Sequence, residues 1–218
     1  EQWNGSSWTE VGDLNTGRSA GSGSGTQAAG LYAGGYIGPH TANSEEFDSS
    51  SWAEGDNVNV ARRGLGGAGT QTAGVAFAGT GDTDDTEEYN GTSWTENNNL
   101  TTGRFGPGGA GTQTAALCIG GGEPPIANVE SYDGTNWTEV ADLNTARLLG
   151  AAVGIQTAAL MAGGNPGPGA STVVELWNGT SWTEVGDLPA GRMKNGGAGT
   201  STHAVSYTHL TLPTKRIV

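Results

Sequence analysis

A short phrase recurs along the chain at intervals of 42–45 residues. Each copy has a Glu, an aromatic residue two positions later, a Trp five positions after that aromatic residue and an Arg ten positions beyond the Trp. A fixed period of this size is typical of repeat proteins in which each repeat is one supersecondary unit. The aromatic residue and Trp of the five copies are Trp3 and Trp8, Phe47 and Trp52, Tyr89 and Trp94, Tyr132 and Trp137, and Trp177 and Trp182.

Strand signals fill the whole of one repeat. Between Arg147 and Glu184, two short apolar runs end in glycine-containing turns, and a β-branched and aromatic run leads into the hairpin signal Asn178-Gly179. No segment carries an apolar period of 3.6 residues that would indicate a helix. The predicted strands are 148–153, 158–162, 172–177 and 181–185. Four short antiparallel strands in each repeat are typical of one blade of a β-propeller.

The fold class predicted for residues 1–204 is therefore all-β, a β-propeller of four-stranded antiparallel blades. The chain starts within a repeat, so residues 1–14 offer only two outer strands, and 193–208 offer only two inner strands. Joined together, these two pairs would complete a ring and hide exposed strand edges. We expect about five blades, four of them whole and one a composite of the two termini, with further blades in a longer parent chain.

Glycine doublets precede the aromatic residue, the Trp and the Arg in most copies. They are Gly34-Gly35, Gly120-Gly121 and Gly163-Gly164, with Ala78-Gly79 as a degenerate copy. With these motifs in phase over about residues 1–204, the chain resembles the Kelch family of β-propellers. The resemblance implies a propeller fold and allows two kinds of function, because Kelch-type propellers include binding modules as well as copper-radical oxidases and sugar-acid isomerases.

The repeated Arg and Glu residues have two possible roles. Five arginines, one in each repeat, could form a ring of ligand-binding groups around the propeller axis. Alternatively, each could make a structural ion pair, or a hydrogen bond to loop carbonyls, that locks one blade to the next. We favour the structural role, because a group repeated in every blade usually serves a need that every blade shares.

Charge and composition exclude several classes of function. The net charge is −13, and five of the nine basic residues are the periodic arginines, so nucleic acid and anionic membranes are not expected partners. The sequence has no apolar run long enough to span a bilayer. Its single cysteine, Cys118, is in phase with core positions of the second strand and is predicted to be a core residue. The histidines have no partner at metal-ligand spacing, and we expect neither a metal nor a cofactor.

The last residues, 205–218, do not continue the repeat. The stretch AVSYTHLTLPT, which starts at Ala204, resembles the in-frame translation of a sequencing adapter. We therefore expect residues 205–218 to be a non-native tail on a fragment read from environmental DNA.

Loop residues after the second strand differ between repeats and are the candidate binding residues. They include Tyr36 and His40 in the first whole repeat and the acidic residues Asp82, Asp84 and Asp85 in the next. Because a rigid framework with variable loops is how many scaffolds carry recognition, we expect a non-catalytic module of a larger protein that binds a protein or glycan. A carbohydrate-active propeller enzyme and a purely structural array are the alternatives. Extracellular, cell-surface or virion locations are favoured over the cytoplasm.

Overall fold

The computed structural model of the chain describes residues 1–207, which form twenty strands and no helix. Four sheets have four antiparallel strands each, in chain order. Blade 1 contains β3 (Ser22–Gly25), β4 (Gly30–Ala33), β5 (Ser44–Phe47) and β6 (Trp52–Glu54). Blade 2 contains β7 (Gly66–Thr70), β8 (Ala73–Phe77), β9 (Thr86–Tyr89) and β10 (Trp94–Asn97).

The other two whole blades repeat this plan. Blade 3 contains β11 (Gly108–Thr112), β12 (Ala115–Ile119), β13 (Val129–Tyr132) and β14 (Trp137–Val140). Blade 4 contains β15 (Ala151–Ile155), β16 (Ala158–Ala162), β17 (Val174–Trp177) and β18 (Trp182–Glu184). The first strands β3, β7, β11 and β15 lie side by side around an axis. The predicted all-β propeller architecture with four whole blades is thus confirmed.

The terminal strand pairs do not combine into one sheet among the described residues. β1 (Gln2–Trp3) pairs only with β2 (Trp8–Thr9), and β19 (Gly196–Gly199) pairs only with β20 (Ala204–Tyr207). The second pair adds to the inner ring, since β19 packs against β15. The first pair lies against blade 1, where the side chain of Gln27 donates to the carbonyl of Trp3.

The predicted composite fifth blade is therefore present as two separate halves. Within residues 1–207 neither half is hydrogen-bonded to the other. Trp8 is 40% exposed, whereas Trp137 at the same repeat position is 5% exposed, and β19 is exposed along its whole length. The two described inner strands agree with the prediction for 193–208. The prediction of a non-native tail concerns mainly residues beyond Tyr207, which lie outside the described residues.

The core lies between neighbouring blades. In blade 3 the rings of Tyr132 and Trp137 are 4.8 Å apart, and Trp137 also meets Phe77 of blade 2 edge-on at 4.9 Å. Gln113 in the inner turn of blade 3 donates to the carbonyl of Tyr89 in blade 2 at 2.8 Å. Equivalent glutamines join the other neighbouring blades. The repeated aromatic residues and the turn glutamine thus fasten each blade to the one before it.

Close packing of the inner strands explains one of the glycines. A Cβ atom on Gly109 of β11 would lie 2.2 Å from the carbonyl oxygen of Gly67 in β7. Contacts this short do not occur in proteins, so a side chain at Gly109 would force the two inner strands apart. Glycine at this position of the first strand therefore allows neighbouring inner strands to pack this closely.

One buried hydrogen bond is made by the Trp of blade 3 but is missing for those of blades 2 and 4. In blade 2 the indole of Trp94 has no acceptor although Ser44 holds the position of Thr86. The indole Nε1 of Trp137 donates to Thr86 Oγ1 of the preceding blade at 2.9 Å. In blade 3 the position of Thr86 is held by Val129. The tryptophan of the next blade, Trp182, is equivalent to Trp137, and its indole is buried without an acceptor. The valine offers no oxygen at the position where a threonine serves the neighbouring pair.

We predict that Val129→Thr raises the free energy of unfolding by about 0.5–1.5 kcal/mol, because it supplies the missing acceptor to Trp182. The control is Val174→Thr, the equivalent change in blade 4. No tryptophan of a following fourth strand reaches that position within residues 1–207, so its buried hydroxyl is expected to cost about 1–3 kcal/mol. Urea unfolding followed by tryptophan fluorescence measures both. Shifts in the same direction for the two variants would contradict the assignment.

Candidate binding face

Two kinds of connection meet at one end of the blades. Because the four strands of each blade run alternately up and down, the loop between the second and third strands and the linker to the next blade lie at the same end. We call this end the loop face. It comprises loops 34–43, 78–85, 120–128 and 163–173 and linkers 10–21, 55–65, 98–107, 141–150 and 185–195. The short turns lie at the opposite end, the turn face.

The repeated arginines lie in the linkers and are buried. Arg18, Arg62, Arg104 and Arg147 each form an ion pair with the Glu of the third strand in the blade that they enter, and every one of these side chains is 0–2% exposed. The backbone carbonyl of Arg62 accepts a hydrogen bond from Gly35 of the preceding blade at 2.9 Å, and Arg104 and Arg147 repeat this bond. The structural interpretation is therefore confirmed for these four, and they are not available to a ligand.

The carboxylates of these pairs accept further hydrogen bonds. Glu45 accepts from the backbone N–H and side-chain amide of Asn15, at 2.7 Å and 3.0 Å, in addition to Arg18. Burial acts to raise the pKa of Glu45, but the hydrogen bonds from Arg18, Asn15 and Thr16 and the charge of Arg18 outweigh it. The net result is a pKa below the ordinary value of 4.5.

This lowered pKa predicts acid sensitivity. Since the folded pKa of Glu45 lies below its unfolded value of 4.5, its contribution to stability is present above that pH and is lost as the pH falls through the folded value. We expect the urea midpoint to fall as the pH drops below about 4.5. Glu45→Gln, which cannot titrate, should be less stable at neutral pH and lose less on acidification. An equal acid loss in both proteins would contradict the prediction.

A chain of backbone hydrogen bonds surrounds the mouth of the central channel. In each linker the second residue after the repeated arginine adopts a left-handed conformation, with φ between 56° and 68°. Its N–H donates to the carbonyl of the equivalent residue in the previous linker at 2.7–2.9 Å. The chain runs through Ala20, Gly64, Gly106, Leu149 and Lys194. This chain of backbone bonds does not depend on side chains, so it holds the flanking linker residues in place whatever their side chains are.

The residues next to this chain are not repeated. The position directly after the repeated arginine is Ser19, Arg63, Phe105, Leu148 and Met193 in successive linkers. The linker backbone is thus constant while the side chains around the channel mouth vary. This is the arrangement in which a repeated scaffold presents a single non-repeated surface.

Tyr36 and His40 lie together in the loop of blade 1. Their ring centroids are 6.0 Å apart, and Tyr36 is 37% exposed. The guanidinium of Arg63 lies over the Tyr36 ring, 4.8 Å from its centroid, and 5.9 Å from the centroid of Phe105. Tyr36 therefore contacts both His40 and Arg63, and Arg63 in turn contacts Phe105. Neither Arg63 nor Phe105 was predicted from the sequence as a binding residue.

The three acidic residues of blade 2 do not act as one group. Asp82 accepts a hydrogen bond from the backbone N–H of Phe105 at 2.9 Å, which places it beside the aromatic residue that contacts Arg63. The side chain of Asp84 accepts from Asn99 at 3.4 Å, and the carbonyl of Asp85 accepts from Ala78. Within residues 1–207 no group of three or more His, Cys, Asp or Glu side chains converges in a way that could hold a metal ion.

Two cavities open around the axis. A cavity of about 380 Å³ on the loop face is formed mainly by apolar residues, with Glu123 and Lys194 as its charged members. Its apolar wall is Pro124, Pro125, Leu148, Leu149 and Met193. The central channel, of about 620 Å³, is lined largely by the small residues of β3, β7, β11, β15 and β19. Of these two cavities, the loop-face cavity is the one with charged side chains in its lining.

Comparison with known proteins supports the fold. The structure is similar to the solved structure of YjhT, with a TM-score of 0.78 and 13% sequence identity over 94% of this chain and 81% of YjhT. The chain is a β-propeller. At this identity the likeness concerns the fold alone. No known family profile and no curated protein matches the sequence.

The propeller encloses its cysteine completely. Cys118 lies in β12 of blade 3, and burial raises the pKa of its thiol to about 12. We expect the folded protein not to react with Ellman's reagent at about pH 8, and one equivalent to react once guanidinium unfolds it. Rapid modification of the native protein would show that blade 3 opens locally and would contradict this placement.

No helix within residues 1–207 is long and apolar enough to cross a membrane.

Proposed function

We propose that the chain is a non-catalytic, Kelch-like propeller module that binds a protein or glycan ligand through its loop face. One observation carries this proposal. Four of the repeated Arg–Glu pairs are buried, whereas the loops and linkers of the loop face carry the non-repeated residues Tyr36, His40, Arg63, Phe105 and Met193.

The character of these side chains also favours binding. Tyr36 and Met193 are more than a third exposed, and exposed aromatic residues and methionine are enriched where proteins contact partners. The net charge of −13 disfavours nucleic acid as the ligand. The opposite turn face carries the same Asn-Gly or Asp-Gly type of hairpin in most blades, so it offers little that distinguishes one partner from another.

Screening of the full chain on a glycan array and against a displayed peptide library tests the proposal. Each ligand found is then measured against Tyr36→Ala with Met193→Ala on the loop face, and against Thr135→Ala with Thr180→Ala as the matched turn-face variant. We expect the loop-face changes to weaken binding about tenfold or more and the turn-face changes to leave it unaltered. Binding that depends on the turn-face residues instead would overturn the proposal.

A further inference from the structure

The guanidinium of Arg63 lies over two aromatic rings. Its guanidinium lies 4.8 Å from the centroid of the Tyr36 ring and 5.9 Å from that of Phe105, so aromatic rings from two different connections contact it. Its backbone is fixed by Thr80, whose N–H and hydroxyl donate to the Arg63 carbonyl at 2.9 Å and 3.0 Å. The position of this cation is therefore set by the fold.

The hydrogen-bonding capacity of Arg63 is unmet within the part of the chain that the structure describes. Arg63 makes no ion pair there, in contrast to Arg18, Arg62, Arg104 and Arg147. Its Nε is enclosed without an acceptor, and its two terminal nitrogens have no protein acceptor and are not enclosed. A planar guanidinium with free terminal N–H groups matches a carboxylate, which it can bind through two parallel hydrogen bonds.

Building on the proposed function, we infer that Arg63 binds a carboxylate of a peptide ligand on the loop face. Tyr36 and Phe105 hold the guanidinium in place, and the carboxylate accepts hydrogen bonds from its terminal nitrogens. Nothing is transferred between the two groups, so the interaction is binding alone.

The surroundings favour a ligand with a single carboxylate. Asp82 lies beside Phe105, and Asp84 follows in the same loop, so a ligand with several negative charges would be repelled. One carboxylate directed at Arg63 avoids this cost.

The neighbouring cavity favours a peptide over a glycan. Phe105 connects Arg63 to the cavity, because its carbonyl accepts a hydrogen bond from Gly122, next to Glu123 in the cavity wall. That wall is mainly proline, leucine and methionine, with Glu123, Asn165 and Lys194 as its polar side chains. An apolar side chain of a peptide would bury its surface there.

A peptide selection tests this inference. Random linear peptides displayed on phage are selected against the full chain, and each carboxylate of the tightest peptide is changed in turn to the matching amide. We expect one of these changes to weaken binding to the wild type about 10- to 100-fold. The same change should alter binding to Arg63→Gln less than about threefold, whereas the turn-face variant Thr135→Ala should keep the full sensitivity. Equal melting temperatures establish that all variants are folded.

The outcomes separate the inference from the function that it builds on. If loop-face peptides are found but no amide change matters, or Arg63→Gln keeps the sensitivity, the role of Arg63 is overturned while loop-face binding stands. If a parallel glycan array supplies the only ligands, the peptide assignment is overturned. If neither screen finds a loop-face ligand, the proposed function fails together with the inference.

Discussion

Replacing Glu130 with alanine is expected to lower the free energy of unfolding by about 3–5 kcal/mol. Glu130 is buried in blade 3, where its carboxylate pairs with Arg104 and accepts the backbone N–H of Thr101 at 2.7 Å and of Thr102 at 3.3 Å. The substitution leaves the guanidinium of Arg104 buried without its counter-charge. Chemical denaturation followed by fluorescence measures the loss.

Glu139 provides the matched control. It lies directly opposite Glu130 in the pairing of β13 with β14, but its side chain is exposed. Glu139→Ala is expected to change stability by no more than about 0.5 kcal/mol. A double change of Arg104 and Glu130 to methionine should cost less than Glu130→Ala alone, because it removes both charges. If Glu139→Ala were as damaging as Glu130→Ala, the buried pair would not be the cause.

Replacing Trp137 with alanine is expected to cost about 3–5 kcal/mol. Trp137 is 5% exposed, and its ring centroid lies 4.8 Å from that of Tyr132 and 4.9 Å from that of Phe77. Its indole N–H donates to the hydroxyl of Thr86 in the preceding blade. Its removal opens a cavity between blades 2 and 3 and leaves the Thr86 hydroxyl without its donor. The same denaturation experiment reports this loss.

Trp8 occupies the same repeat position and is the control for Trp137. It is 40% exposed, and its ring centroid lies 5.5 Å from that of Trp3 in the β1–β2 pair. We expect Trp8→Ala to cost about 1 kcal/mol or less. A loss equal to that of Trp137→Ala would mean that the first strand pair is covered in solution as it would be in a closed fifth blade, and would contradict the open arrangement described above.

The candidate site was predicted in part. Tyr36 and His40 share one short loop, so their closeness follows from local sequence. Arg63 and Phe105 come from two different linkers and meet only because neighbouring blades bring those linkers together. The one available signal was that residues directly after the repeated arginines differ between copies. Ligand binding by Asp82, Asp84 and Asp85 stays a prediction; an Asp84 side-chain oxygen accepts from Asn99, and the backbone carbonyl of Asp85 accepts from Ala78.

By itself the sequence determined the blade. The period, the hairpin turns and the aromatic pairs act between residues close in the chain, so strand identity and order follow from local rules. Even Ala78, the degenerate copy of the glycine doublet, adopts the φ of 64° found at Gly34. Only the tertiary structure decided how the terminal strand pairs are arranged and which variable side chains meet at the channel mouth. Both depend on the angle between blades, which small contacts such as Gly109 against Gly67 set step by step around the axis. A local pattern does not encode that accumulated angle.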